Sequence, residues 1–204
     1  MKIRKILLAG LLLVASSLAK AQEYDLVIKG GHVIDPKNQI DGIMDVAISN
    51  GVIAALAQNI DTAQAAQVVH AQGLYVVPGL IDIHTHHFWG TQLDQNYMNG
   101  PNAFPPDGFT FRNGITTVVD AGSSGWSSFP DFKKQTIDLS KTRVLAFLNI
   151  VGQGMRGGAY EQNTADMDAK MSALTAKQHK EHIVGFKVAH YEGYDWTPVE
   201  QAVR

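Results

Sequence analysis

The chain has 204 residues, of which 45% are hydrophobic and 18% charged, with no cysteine and a formal charge of −2. That length and composition fit one ordinary globular domain or part of a larger one. The charge balance carries no basic stripe and excludes a nucleic-acid partner; without cysteine, metal ligands are restricted to His, carboxylates and modified Lys.

Residues 1–21 read differently from the rest. Lys2, Arg4 and Lys5 make a positive start, Ile6 to Ala15 is an apolar run of ten, and Ala19-Lys20-Ala21 fits a small-x-small cleavage site before Gln22. This is the pattern of a secretory signal peptide, and ten apolar residues are too few to span a bilayer as an anchor. The expectation is an exported protein, periplasmic or secreted, with no membrane segment in its mature form. Removal of residues 1–21 takes four basic residues and no acid, leaving 13 basic against 19 acidic, a net of −6.

Residues 22–77 read as a small β unit. "YDLVIKGG" places Tyr24, Leu26 and Ile28 on one face, with Gly30-Gly31 as a breaker. "DVAISNGVIAAL" carries a hairpin signal, Asn50-Gly51 between two β-rich runs. "QVVHAQGLYVV" predicts a further strand pair broken around Gln72-Gly73. Its histidines, His32 and His70, read as surface residues.

After Pro78 the rhythm changes. "GLIDIHTH" (79–86), "GITTVVDAG" (114–122), "RVLAFLNIVG" (143–152) and "HIVGFKVAH" (182–190) are short apolar runs that suit parallel strands buried on both faces. Helical patterns lie between some of them: Ser128 as cap of a helix through Phe132, Lys133 and Ile137, and a stripe of Met167, Met171 and Leu174. Alternation of strand and helix predicts a parallel α/β architecture. The long segment 87–113 predicts a functional loop. "DWTPVEQAVR" predicts a helix with Thr197 as N-cap, Pro198 at the first position and Glu200 closing a capping box. The chain stops at Arg204, about two turns later, and the expectation is a sequence cut within a repeating βα unit; the alternative is a short terminal helix.

Two places carry candidate chemistry. A strand repeats every two residues, so Asp82, His84 and His86 share a face at the end of the first run. With 8 His in the chain, about 0.3 His-x-His pairs arise by chance, so the pair alone is weak. It reads either as a metal-ligand pair or as two partly exposed loop histidines. Lys187 sits inside an otherwise apolar strand. It reads either as a buried amine of lowered pKa, able to capture carbon dioxide as a carbamate, or as a lysine whose stem lies in the core and whose head reaches water. His179 and His182 precede the fourth run and lie at the wrong end of it. His87 points to the opposite face from the pair, with a substrate-loop role as one reading.

"VVPGLIDIHTH" (Val76 to His86) resembles the signature of the amidohydrolase superfamily: Pro-Gly, then Asp two residues before His-x-His. "GITTVVDAGSSG", "TRVLAFLNIVGQG" and "GFKVAHYEGYDWTPVEQAV" resemble its amidohydrolase/deacetylase branch, often labelled dihydroorotase-like. The resemblance implies an α/β fold in which residues 78–204 are the N-terminal half of a metal-dependent (β/α)8 barrel and residues 22–77 are the N-terminal part of a small β-sandwich. It implies that His84 and His86 bind metal and that Lys187, N6-carboxylated, bridges two divalent ions, expected to be Zn. One His from each of strands five and six and a general-base Asp from strand eight would complete the site; these positions are absent from this chain, so its catalytic residue is unknown. His190 and Tyr191, at the mouth, are candidate substrate contacts, and Asp120 and Asn149 candidate supports for the ligands. The implied activity is hydrolysis of C–N bonds (amide, cyclic amide or N-acyl) of a small-molecule substrate by metal-activated hydroxide. The alternative is an inactive truncated fragment of such an enzyme; a third reading is a small exported metal-binding module. A homo-oligomer is compatible with all three.

Overall fold

The computed structural model describes residues 22–90 and 103–204. The expected signal peptide and the middle of the 87–113 loop lie outside the described residues. The chain divides into two compact units after Pro78.

The first unit is one five-stranded sheet of β1(Tyr24–Asp35), β2(Ile40–Ser49), β3(Val52–Ala57), β4(Ala65–His70) and β5(Tyr75–Val76), in the order β3-β2-β1-β4, with β5 also on β1. The expected hairpin joins β2 to β3: Asn50 and Gly51 both take positive φ, 52° and 74°, as a two-residue primed turn requires. Val27 and Val33 are the deeply buried apolar side chains of β1, while Tyr24, Leu26 and Ile28 are half-buried; the two valines lie on opposite faces because the pairing with β2 shifts by one residue between them. Both faces are apolar here, and the core forms on the side where Ala47 and Ile60 meet Val27. Gly30-Gly31 does not end the strand; it is a bulge, with the β2 register shifting between Ile28 and Gly31. A Cβ on Gly31 would lie 2.4 Å from a Val76 methyl, so the bulge also admits β5. Finally, β4 and β5 do not pair with each other; each adds parallel to β1.

A buried carboxylate knots this unit. Asp45 accepts from Lys29 Nζ at 2.6 Å, from the Gly30 N–H at 2.7 Å and from the Ile60 N–H at 2.8 Å. Lys29 also donates to Asn59 Oδ1 and the Ile60 carbonyl. A buried charge is tolerated when it is paired and hydrogen-bonded in this way.

The second unit contains the four expected parallel strands, β6(Leu80–Thr85), β7(Ile115–Gly125), β8(Arg143–Asn149) and β9(Ile183–Lys187), in sequential order. This is the strand arrangement of the first half of a (β/α)8 barrel. Helices α1(Phe129–Gln135), α2(Ala159–Gln162), α3(Ala169–Gln178) and α4(Thr197–Val203) follow β7, β8 and β9. Phe129 and Phe132 of α1 pack with Val118, Val144, Ala146, Leu148 and Ile183 in the main core. Sequential order leaves two edges, and β6 exposes Leu80, Ile81 and Ile83.

The helix signals were right in kind and wrong in detail. Ser128 makes no side-chain cap; its Oγ accepts from the Gly125 N–H at 3.1 Å. Met167 lies before α3, in a bridge with Val151, because Asp168 is the N-cap and accepts from the Met171 N–H at 2.9 Å. The helix therefore buries Ser172 and Thr175, leaving Met171 and Leu174 exposed. Thr197 is the first residue of α4, not its cap. The N-cap position is Trp196, without a side-chain bond, and the Asp195 carboxylate accepts the Thr197 N–H at 2.9 Å.

Candidate metal centre

Parallel strands bring their C-terminal ends to one mouth, so the site is built from the ends of β6 to β9 and the segments after them. At the end of β6 the pairing with β7 shifts between Asp82 and Thr85. In this irregular stretch the His84 N–H donates to Asp82 Oδ1 at 3.1 Å. The rings of His84 and His86 meet edge to face, 5.5 Å between centroids and 72° between planes. His86 Nδ1 lies 3.0 Å from Ser123 Oγ, at the end of β7.

Asp120 holds these two segments together. It is fully buried; Oδ2 accepts the His87 N–H at 2.7 Å and Oδ1 the Ser123 N–H at 2.8 Å. Burial pushes its carboxyl up and the two N–H bonds oppose that rise. The backbone just after His86 and the turn that carries Ser123 are thus fixed by one side chain.

Lys187 ends β9 in register with Asn149 of β8. Its side chain lies across Gly122, where a Cβ would stand 2.5 Å from Lys187 Cγ. Gly122 has φ +88°, so both conformation and space require glycine. Asn149 braces the same spot: Nδ2 donates to the Gly122 carbonyl and Oδ1 accepts from the Val151 N–H, both at 3.0 Å. Lys187 is half-buried rather than buried, because it is the last residue of an edge strand.

The electrostatics tie these groups together. Burial, then the proximity of His84, Lys187, His87 and His190, which disfavours a further positive charge, push His86 down to about 4. At neutral pH its ring is uncharged and carries the lone pair that a metal ligand needs. Two imidazoles and an amine are donor types suited to a borderline divalent ion such as zinc. Among the described residues, no three His, Cys, Asp or Glu side chains converge as a metal cage.

The other candidates fall out as follows. His190 follows β9 with φ +58°, and its Nδ1 is 3.0 Å from Glu161 Oε1. The Tyr191 hydroxyl donates to Asp195 Oδ2 at 2.9 Å, and its ring packs against Ile150, Val151 and Met167. His87 is not a loop residue facing substrate: it is 1% exposed, its Nδ1 is 2.8 Å from the Phe104 carbonyl, and its ring stands edge-on to Phe104. The aromatic cluster drew it inward. His179 packs on the Phe129 ring, away from the strand ends. Ser123 and Glu161 were missed. The "SSG" that closes β7 signals the first, since a strand-end hydroxyl can reach a neighbouring strand; nothing in the sequence signals the second.

No family model matches the chain. It is similar to a deacetylase of Brucella anthropi, 30% identical over 172 residues, which are 78% of this chain and 40% of that protein. It is similar to a dihydroorotase of Trichlorobacter lovleyi, 40% identical over 87 residues, covering 42% and 20% of the two chains. Its fold is similar to the crystal structure of an adenine deaminase, with a TM-score of 0.70 and 28% identity over 89% of this chain and 46% of the other. The chain spans less than half the length of each.

Proposed function

This chain belongs to the amidohydrolase superfamily, and on that premise we propose that it supplies the first-strand and fourth-strand ligands of a metal-dependent hydrolase acting on C–N bonds. The observation that carries the reading is the meeting of His84 with His86 at one strand end and the path of Lys187 over Gly122 at another. His84 and His86 would hold the metal through imidazole nitrogens, with Ser123 at Nδ1 directing His86 to use Nε2. Lys187 would capture carbon dioxide, forming an N–C bond and losing a proton, to give a carbamate anion whose oxygens would serve as metal ligands. When bound, divalent metal, zinc by donor type, polarises a carbonyl and lowers the pKa of water toward about 7. The substrates proposed are N-acyl amines and cyclic amides, the classes suggested by relatives named deacetylase and dihydroorotase. Export through residues 1–21 is part of the same proposal; among the described residues no helix is long and apolar enough to cross a membrane.

A second reading, that the 204 residues alone are inert, is favoured by the donor count, since two His and one Lys leave a site open. One experiment addresses both. The full-length gene product and the 204-residue chain are loaded with Zn2+ in bicarbonate and assayed on N-acetyl amino acids and cyclic amides. Turnover by the full-length protein, falling about 100-fold or more in His84→Ala and Lys187→Ala, supports the first reading. Turnover unaffected by either change sinks it.

A further inference from the structure

Glu161 is the most deeply buried acid of the second unit that the proposed metal site does not use. It is 0% exposed, and a carboxylate in that position needs partners. It has two: Oε2 accepts the Gly157 N–H at 2.9 Å, and Oε1 lies 3.0 Å from His190 Nδ1. Around it the segments after β8 and β9 are laced together. Gln162 Nε2 donates to the His190 carbonyl at 2.7 Å, and Gln162 Oε1 accepts the Glu192 N–H at 2.9 Å. His190 itself is held at φ +58°, a left-handed conformation that a non-glycine residue keeps only when its surroundings impose it. Its side chain is 44% exposed while Glu161 is hidden beneath it. The imidazole borders a cleft of about 460 Å³ together with Gly157, Gly158, Gln162 and Tyr191. His190 also lies within electrostatic reach of His86, and it follows the C-terminal end of β9, the strand that carries Lys187.

A carboxylate only accepts, so the shared hydrogen bond requires the proton on His190 Nδ1. The neutral ring then carries its lone pair on Nε2. We propose that Glu161 and His190 form a substrate-orienting pair at the mouth of this site, in which the His190 ring accepts a hydrogen bond from the N–H of a secondary amide and Glu161 acts as the positioning residue through His190. The pair favours N-acyl amines over the matching esters, which lack the N–H. The substrate part rests on the hydrolase reading above; the positioning part does not.

The test has two arms. In the first, ring-15N NMR on the 204-residue chain reads the tautomer of His190 without any turnover. The expected result is a proton on Nδ1 in the wild type and a shift toward the Nε2–H form in Glu161→Gln. An Nε2–H ring in the wild type, or a tautomer unchanged by the substitution, overturns the pair. In the second arm, the metal-loaded full-length protein is assayed on an N-acetyl amino acid and its O-acetyl hydroxy-acid isostere. Glu161→Gln and His190→Gln should each raise KM for the amide about tenfold. KM for the ester and both kcat values should stay within about twofold, and the double variant should match the singles. If Glu161→Gln does not fold, His190→Gln alone decides this arm. Equal effects on both substrates, or a loss confined to kcat, overturn the substrate role. Absence of turnover in the wild type removes the hydrolase reading and the substrate role with it, while the NMR arm still decides whether Glu161 positions His190.

Discussion

Ser123 Oγ sits 3.0 Å from His86 Nδ1, a contact between the end of β7 and the residue just past β6. A partner on one ring nitrogen decides which nitrogen is left for a metal. Ser123→Ala should therefore weaken Zn2+ binding by about tenfold while the fold is retained. Competition with a chromophoric chelator measures the affinity, and circular dichroism checks the fold. Unchanged affinity would show that the hydroxyl plays no part.

Gly122→Ala should displace Lys187. The added methyl would meet Lys187 Cγ at 2.5 Å in a backbone that already favours glycine. The expected cost is about 1–3 kcal/mol of stability, with lost capture of carbon dioxide read by 13C NMR of bicarbonate-loaded protein. Gly108→Ala, where nothing lies within 4 Å, is the matched control and should change neither.

The first unit should be sensitive to acid through Asp45. Burial alone would raise this carboxyl, but the bonds from Lys29, Ile60 and Gly30 outweigh burial and hold it below the usual range. A lowered folded pKa means that the carboxylate stabilises the fold fully above its unfolded value, about 3.9, and that this stability is lost as pH falls through the lower folded value. Urea unfolding should show a stability drop below about pH 4. Asp45→Asn should lose about 3 kcal/mol at neutral pH and show a smaller drop in acid. An equally steep drop in the variant would place the acid sensitivity elsewhere.

The outer edge of β6 should drive self-association of the 204-residue chain. Ile81 and Ile83 are 62% and 65% exposed, and an apolar strand edge with unpaired backbone recruits other strands. Ile81→Lys with Ile83→Lys should raise the monomer fraction in sedimentation velocity. A wild-type chain that is monomeric at about 100 μM would refute the idea.

Mass spectrometry of the exported protein should give an N-terminus at Gln22. Retention of Met1 in a secreted product would rule out the signal-peptide reading.

The strands and their parallel order were legible because Val, Ile and Leu runs bounded by Gly and Asp leave little choice of structure. The Asn50-Gly51 turn was legible because it demands positive φ at both positions. Which face of β1 would be buried was not legible, since Val27 and Leu26 are equally apolar and only the packing of Ala47 and Ile60 decides. The Met167–Leu174 stripe failed for a related reason: Asp168 fixes where the helix begins, and spacing alone does not see a cap. In the site, the His-x-His pair and Lys187 stood out as residues of the wrong polarity for their strands. Asp120 was legible as a strand-end support but its partners were not, and Ser123 and Glu161 each act on a histidine far away in sequence, contacts whose partners no local pattern encodes.

The sequential order of β6, β7, β8 and β9 also describes a building schedule. Each strand finds its partner already made by the preceding βα unit, so the sheet can extend during synthesis at about 5–20 residues per second without waiting for distant segments. Growth runs in one direction, and the newest strand is always the template for the next. The face left out of this schedule is the outer edge of β6, where Leu80, Ile81 and Ile83 lie beside the histidine pair. Within this sheet β6 is the strand made first, and every later strand adds on its other side, so the candidate ligands His84 and His86 are in place before any of the neighbouring strands that complete their surroundings.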